Sequence, residues 1–158
     1  MNSSIIIRPA TGDDCRTLAQ FNVQLARETE DKHLDPEVVL RGVRHMLDRP
    51  GDGFYRVAEI GGQVVGCLMI TFEWSDWRDS YFWWIQSVFV RADHRRRGVF
   101  HRLYQHVLLE ARSKPDVCGL RLYVEHENRA ARHTYEAMGM TPGRYSFYEL
   151  DWSPRHGE

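Results

Sequence analysis

Apolar residues recur along this chain at two spacings, and the switches between them mark the elements. Ile5 to Arg8, a β-branched run, reads as a short first strand. After Pro9, Thr11 to Asp14 supply capping oxygens and acidic charge for a helix start. Leu18, Ala19, Asn22, Leu25 and Ala26 then share one helical face, which predicts a first helix from Cys15 to about Arg27. Asp35-Pro36-Glu37 starts a second helix with cap, first-turn proline and acid in place, and Val39, Leu40, Val43, Met46 and Leu47 form its apolar face. Pro50 and two glycines end it.

Two strand-like runs follow, Phe54 to Ile60 and Gln63 to Phe72, joined by Gly61-Gly62, a pair suited to the positive φ angles of a two-residue hairpin. Trp74 to Asp79 reads as a polar and aromatic connection before a further strand, Tyr81 to Val90. Beyond a basic turn and Gly98 the period becomes helical, with Val99, Phe100, Leu103, Tyr104, Val107 and Leu108 in pairs four apart. Ser113-Lys114-Pro115 stops that helix, and Gly119 to Val124 alternates as a strand. Asn128 opens a short helix bearing Ala131, Thr134, Tyr135 and Met138, with Gly139 as its C′ residue. Tyr145 to Trp152 is predicted as a last strand, and the tail after Ser153 is expected to fray.

The resulting order is β-α-α-β-β-β-α-β-α-β. It describes an α/β (α+β) fold with a mixed sheet, helices on both faces and a parallel strand pair around the third helix. With 158 residues and no linker or repeat, one domain over residues 1–158 is expected, its core at about 5–152. A net charge of −1 excludes a generic polyanion binder, so the basic charge is local. No apolar run approaches the roughly 20 residues of a membrane span and no signal-peptide pattern opens the chain, so a cytoplasmic protein with no membrane partner is expected. Cys15, Cys67 and Cys118 are far apart and odd in number, as buried fillers are rather than a disulfide framework. The eight histidines fall in no metal-binding spacing, and no metal is expected.

The chemistry concentrates between Trp84 and Tyr104. A strand that delivers the chain into a helix N-terminus leaves backbone N–H groups without intrahelical partners, with the positive end of the helix dipole behind them. Gly98 removes a Cβ where a ligand approaches the backbone, and Arg95, Arg96 and Arg97 add positive charge at that place. A phosphate-bearing ligand is the natural guest.

Arg95-Arg96-Arg97-Gly98-Val99 resembles motif A of the GNAT superfamily of acyl-CoA-dependent N-acetyltransferases: Arg or Gln, two residues, Gly, one residue, then Gly or Ala. Phe100 stands at the last position, where the family usually has Gly or Ala. A second stretch, with Asn128, Ala131 and Tyr135 followed by Gly139, resembles the family's motif B. The element order is that of the GNAT fold over about residues 5 to 150.

The resemblance implies acetyl-CoA as acyl donor. Its pyrophosphate would rest on the turn before and after Gly98, through Arg95, Arg96, Arg97, Gly98, Val99 and Phe100, with Asn128, Ala131 and Tyr135 also in contact. It further implies that Val88, Phe89 and Val90 pair through their backbone with the pantetheine arm, and that an amide near Val88 polarises the thioester carbonyl. Tyr135 would protonate the departing thiolate, since a phenol is a competent donor at neutral pH. Many relatives carry a glutamate base at the position of Gln86, and glutamine accepts no proton. An alkyl ammonium is only about 0.1% free amine at pH 7. The base is therefore water or another residue, with Glu28, Glu30, Glu73 and Asp76 as candidates.

Trp74, Trp77, Trp83 and Trp84 cluster in sequence around those last acids, either as a cation–π pocket for the acceptor or as core and subunit contacts. Glu28, Glu30, Trp74 and Trp84 are the acceptor-binding candidates. The expected function is acetyl transfer from acetyl-CoA to a primary amine of a small molecule or protein by direct attack in a ternary complex. Five tryptophans and seven tyrosines, with the family's habit of pairing, lead to the expectation of a homodimer. Two alternatives stand beside this: a GNAT-fold module that binds acyl-CoA without chemistry, and a nucleic-acid-binding domain using the patch from Arg91 to Arg102. The near-neutral net charge counts against the second, and no nucleic-acid partner is expected.

Overall fold

The alternating runs pair into one sheet, and the residues between them fold onto both of its faces. The computed structural model describes residues 4–154, which divide into two compact units, one ending at Leu122 and one beginning at Tyr123. The first contains β1 (Ile6–Pro9), α1 (Cys15–Glu30), α2 (Pro36–Asp48), β2 (Gly53–Ile60), β3 (Gln63–Ser75), β4 (Ser80–Val90), α3 (Val99–Arg112) and β5 (Val117–Leu122). Strand order in the sheet is β1-β2-β3-β4-β5. All neighbours are antiparallel except β4 and β5, which the α3 crossover makes parallel. Gly61 and Gly62 take φ of 58° and 79°, as a tight hairpin between β2 and β3 requires.

The sheet's pleat sorts side chains to its two faces. On one, Leu18 and Phe21 of α1 and Val43 of α2 bury against Tyr55, Val57, Cys67 and Phe89. On the other, α3 buries Val99, Leu103 and Val107. Gly66 permits that close approach: a Cβ there would lie 3.2 Å from Val99 Cγ1 and 2.9 Å from the Phe89 carbonyl oxygen. The helix that carries the basic turn is thereby fixed against the middle of the sheet.

Asp14 locks α1 to β1. Its carboxylate accepts two hydrogen bonds from the Arg8 guanidinium, at 2.8 and 3.0 Å, and one from the Thr11 N–H at 2.8 Å. Arg8 also donates to Glu59 on β2 at 2.8 Å. The Arg8 bonds chiefly, with the Thr11 N–H helping, hold the Asp14 carboxyl below the ordinary aspartate range against an opposing desolvation. A folded-state pKa below the unfolded one means that this stability is present above about pH 4 and is lost as pH falls through the lowered value. Asp14→Asn should therefore cost about 2 kcal/mol at neutral pH and flatten the acid limb of the stability profile. Chemical denaturation of both proteins from pH 7 to pH 3 checks this; an unchanged acid limb would refute it.

Several expected boundaries move. α1 runs three residues past Arg27 before Asp31, at φ 51°, turns the chain. β3 continues to Ser75, so Trp74 is a strand residue and the connection shrinks to 76–79. β5 begins and ends two residues before the predicted bounds. Cys118 is exposed on β5, donating to the Tyr81 carbonyl at 3.3 Å, and is not a buried filler as Cys15 and Cys67 are.

The second unit holds α4 (Arg129–Ala137). Asn128 caps it by accepting from the Ala131 N–H at 3.1 Å. Gly139, at φ 91°, closes it, with the Met140 N–H bonded to the Tyr135 carbonyl and the Gly139 N–H to that of Glu136, the paired bonds of a Schellman end. The predicted strand from Tyr145 to Trp152 does not form, since these residues join no ladder of the sheet. Alternation alone does not make a strand; its N–H and C=O groups need a neighbour. The fraying expected of the tail falls mostly on residues 155–158, outside the described residues. Among the described residues no helix is long and apolar enough to cross a membrane.

Candidate functional site

The parallel pairing of β4 with β5 stops halfway along β4. Register runs from Tyr81 opposite Val117 to Ile85 opposite Leu122, and β4 then continues through Val90 with only β3 beside it. A bulge falls at this point: Met69 faces Ser87 and Ile70 faces Ile85, which leaves Gln86 as the extra residue. Bulges bend a strand and increase its twist, so β4 turns away from the line of β5. The Gln86 side chain is exposed and donates to Thr71 Oγ1 at 2.8 Å. The neighbouring Ser87 Oγ is buried without a hydrogen-bond partner among the described residues.

Backbone direction along the open part of β4 follows from its end. The Arg91 N–H bonds the Val65 carbonyl on β3 at 2.8 Å, so by strand alternation Phe89 also turns its N–H and C=O to β3. Val88 and Val90 then turn theirs the other way. Arg95 confirms the direction, since its Nε donates to the Val90 carbonyl at 2.9 Å. The Val88 amide thus lies on the edge that β5 has left.

The basic turn ends in two left-handed residues. Arg96 has φ 61° and Gly98 φ 79°, and Gly98 is the N-cap residue of α3, which no side chain caps. The first helical hydrogen bond is made by the Arg102 N–H to the Gly98 carbonyl at 3.0 Å, so the amides of residues 99–101 precede the helix ladder. A Cβ built on Gly98 meets no atom within 4 Å. Space over the turn is therefore open, and positive φ makes glycine the suited residue. Phe100 does not close it, for its ring lies 6.2 Å from that of Tyr104, one turn along the helix.

Arg95 plays a different part from its two neighbours. It reaches Glu28 at the end of α1 at 2.6 Å while its guanidinium lies 5.8 Å from the centre of the Phe89 ring. Its charge is spent on holding α1, β4 and the turn together. Arg96 and Arg97 are exposed.

Three of the four carboxylates considered as bases are also engaged. Glu28 pairs with Arg95, Glu30 with Lys32 at 2.6 Å, and Glu73 with Arg121, whose guanidinium lies 3.5 Å over the Phe82 ring. Asp76 sits in the β3–β4 turn. The tryptophans, adjacent in sequence, are parted by the pleat. Trp83 is buried in an aromatic ladder with Phe54, at 5.0 Å, and Phe72, and Trp74 extends that ladder through Tyr81 at 4.9 Å. Trp84 pairs with Thr71 and so faces the side of Glu73, Gln86 and Ser87. Trp77 is 85% exposed and joins neither group. No single tryptophan cage forms.

In the second unit, Ala131, Tyr135 and Met138 make up the half-buried face of α4, at helical spacing. Arg129, Arg132, His133 and Glu136 line a shallow depression on that helix. Asn128 is its cap, as described above.

The sequence reading did not find the end of β4–β5 pairing at Ile85, the bulge at Gln86 or the Arg95–Glu28 bridge. Only register reveals the first two, and residues 67 apart in sequence make the third.

The chain thus joins an open edge of β4 to an uncapped, glycine-started helix within a mixed α/β fold. The model of the acetyltransferase (GNAT) family matches residues 18–140, and the chain belongs to that family. The crystal structure of a possible acetyltransferase from Clostridium difficile 630 is 43% identical, with TM-score 0.89 over 93% of this chain and 97% of that one. The aminoglycoside N-acetyltransferase AAC(6')-Iy in complex with CoA shares the fold at 15% identity and TM-score 0.78, covering 96% of this chain and 97% of that one. So does a ribosomal-protein-alanine N-acetyltransferase from Brucella melitensis biovar Abortus 2308, at 16% identity and TM-score 0.74 over 94% and 100%. No protein of curated function matches the chain.

Proposed function

We propose that this protein is an N-acetyltransferase that moves an acetyl group from acetyl-CoA to a primary amine, and that the whole chain serves as one catalytic domain. The observation that carries the reading is the stretch from Gln86 to Phe100, where an open strand edge leads directly into an open, uncapped helix start. The residues suit the donor on their own chemistry. Exposed Arg96 and Arg97, the amides at the start of α3 and the space over Gly98 fit a pyrophosphate, and the open edge at Val88 fits an amide-bearing arm laid as a strand. The family model supports the single-domain reading, since its match over residues 18–140 runs from the first compact unit into the second.

Bound acetyl-CoA supplies an activated thioester carbonyl, which the amine attacks directly. The Val88 N–H donates to that carbonyl oxygen as negative charge develops on it. Tyr135 gives its phenolic proton to the leaving sulfur. The acceptor is assigned to the sheet face of Trp84, Gln86 and Thr71, with Glu28 and Glu30 at the end of α1 as its acidic side. Trp74 lies on the opposite face and is dropped from the acceptor set. With Glu28, Glu30 and Glu73 in ion pairs, the ammonium proton leaves to water or to Asp76. The acceptor class we favour is cationic, and the working form a homodimer.

The reading predicts that saturating acetyl-CoA raises the melting temperature, by about 2.7 kcal/mol of stabilisation at a hundredfold excess over Kd. No shift in a melting scan would refute the donor assignment. The Gln86–Thr71 hydrogen bond favours a second reading, a module that binds acyl-CoA without chemistry. Thiol release over a panel of amines separates the two: a thermal shift without thiol release selects the module.

A further inference from the structure

The core that α1 and α2 form on their face of the sheet reaches Tyr55, Met69 and Phe89. Cross-strand pairing carries the same face onward in the first unit. Thr71, Trp84 and Arg121 stand in one row, and Glu73, Phe82 and Gly119 in the next. None of these six is fully buried. A Cβ on Gly119 would lie 2.8 Å from Phe82 Cε1, so the Phe82 ring leans over β5 and needs glycine beneath it.

That ring carries two guanidiniums. Arg121 Cζ lies 3.5 Å from its centre, and Arg78 Cζ, from the β3–β4 turn, 5.0 Å. A guanidinium laid on an aromatic face keeps its fork of N–H donors at its edge, in the shape that matches a carboxylate. Arg121 gives Glu73 only Nη1. Arg56, by contrast, gives Glu110 both Nε and Nη2, and Arg8 gives all three nitrogens to Asp14 and Glu59. Arg78 donates to Ser75 Oγ at 3.3 Å and pairs with no carboxylate among the described residues, although Asp76 and Asp79 share its turn. Two cations on one ring therefore share a single, monodentate carboxylate.

Trp84 and Phe82 precede Val88 by four and six residues, with the Gln86 bulge between, so the guanidiniums stand roughly 10–16 Å from the amide assigned to the thioester carbonyl. An α-amino acid, whose amine and carboxylate share one carbon, cannot span that distance. We infer that the acceptor is elongated and bears a carboxylate roughly 10–16 Å from its amine, and that Arg121, with Arg78 beside it, is the specificity-determining anchor for that carboxylate. The inference rests on the transfer proposed at Val88, and the amine end keeps the cationic character assigned to it there.

Short alanine peptides with a free N-terminus and an amidated C-terminus, carrying Glu, Gln or Lys at the second to sixth position in turn, measure the span. Calorimetry on the full chain, with and without CoA, reads binding with no turnover, and thiol release from acetyl-CoA reads kcat/KM. Glu should exceed Gln by about tenfold or more at the fourth or fifth position and not at the second. A series from aminohexanoate to aminododecanoate, compared with the matching alkylamines, applies the same ruler without a peptide backbone, and whichever series shows the optimum tells a peptide from a small acceptor. Arg121→Met, with its fold checked by circular dichroism, should erase the advantage of the carboxylate, and Arg121→Lys, which keeps the charge without the fork, should restore part of it. No optimum in either series, a preference for Lys, which would give the face to Glu73, Asp76 and Asp79, or a Glu advantage that survives in Arg121→Met would each overturn the inference. Should acetyl-CoA give neither thermal shift nor thiol release, the transfer reading fails by itself, and calorimetry without CoA still decides the anchor.

Discussion

Gly98→Asp should abolish acetyl-CoA binding while leaving the protein folded. The space over Gly98 admits the new side chain, for no atom lies within 4 Å of a Cβ built there. Aspartate is also among the few residues that tolerate a left-handed backbone, so the φ of 79° is kept at modest cost. What changes is the ligand's share of that space. A carboxylate would stand beside the amides and arginines assigned to the pyrophosphate and would repel it. Gly98→Asn separates bulk from charge, having the same shape and the same backbone demand without the negative charge, and it should weaken binding less. Calorimetric titration of the three proteins with acetyl-CoA measures this. Binding of Gly98→Asp at wild-type strength would move the anion site elsewhere, and equal losses for Asp and Asn would make the effect steric.

Tyr135→Phe should lower turnover by about 10²- to 10⁴-fold, the usual contribution of a general acid, while leaving acetyl-CoA affinity nearly unchanged. The ring, and with it the half-buried face formed with Ala131 and Met138, is retained. The backbone donors assigned to the cofactor belong to β4 and to the start of α3, which the substitution does not touch. A genuine acceptor amine is required, because a slow surrogate makes another step limiting. Full turnover in Tyr135→Phe with such an acceptor would withdraw the proton donor. A loss of affinity equal to the loss of turnover would make Tyr135 a binding residue. The two substitutions thus report on different links of the argument, Gly98→Asp on where the donor is held and Tyr135→Phe on how its sulfur leaves.

Much of the fold was legible because local forces set it. Asp35-Pro36 starts α2, Asn128 caps α4 and Gly139 closes it, each through groups within five residues of one another. Gly61-Gly62 makes its hairpin for the same reason. The change from strand to helical period across Gly98 likewise marked the open helix start to which we assign the donor's phosphates, since a helix start exposes its amides whatever it packs against.

What the sequence left undetermined depended on which strand lies beside which, and over what length. The open edge of β4 exists because β5 stops opposite Ile85, and the bulge at Gln86 exists because β3 and β4 lose step there. Glu28 has the composition of a base but is bound to Arg95, and four tryptophans adjacent in sequence are divided between the sheet faces and the β3–β4 turn. Tyr145 to Trp152 has the alternation of a strand without a neighbour to complete it. The sequence by itself determined the elements and the chemistry available at the start of α3, because caps, turns and periodicity act over a few residues. Only tertiary structure decided the strand register, the ion pairs and the missing strand, because those require groups distant in the chain to meet.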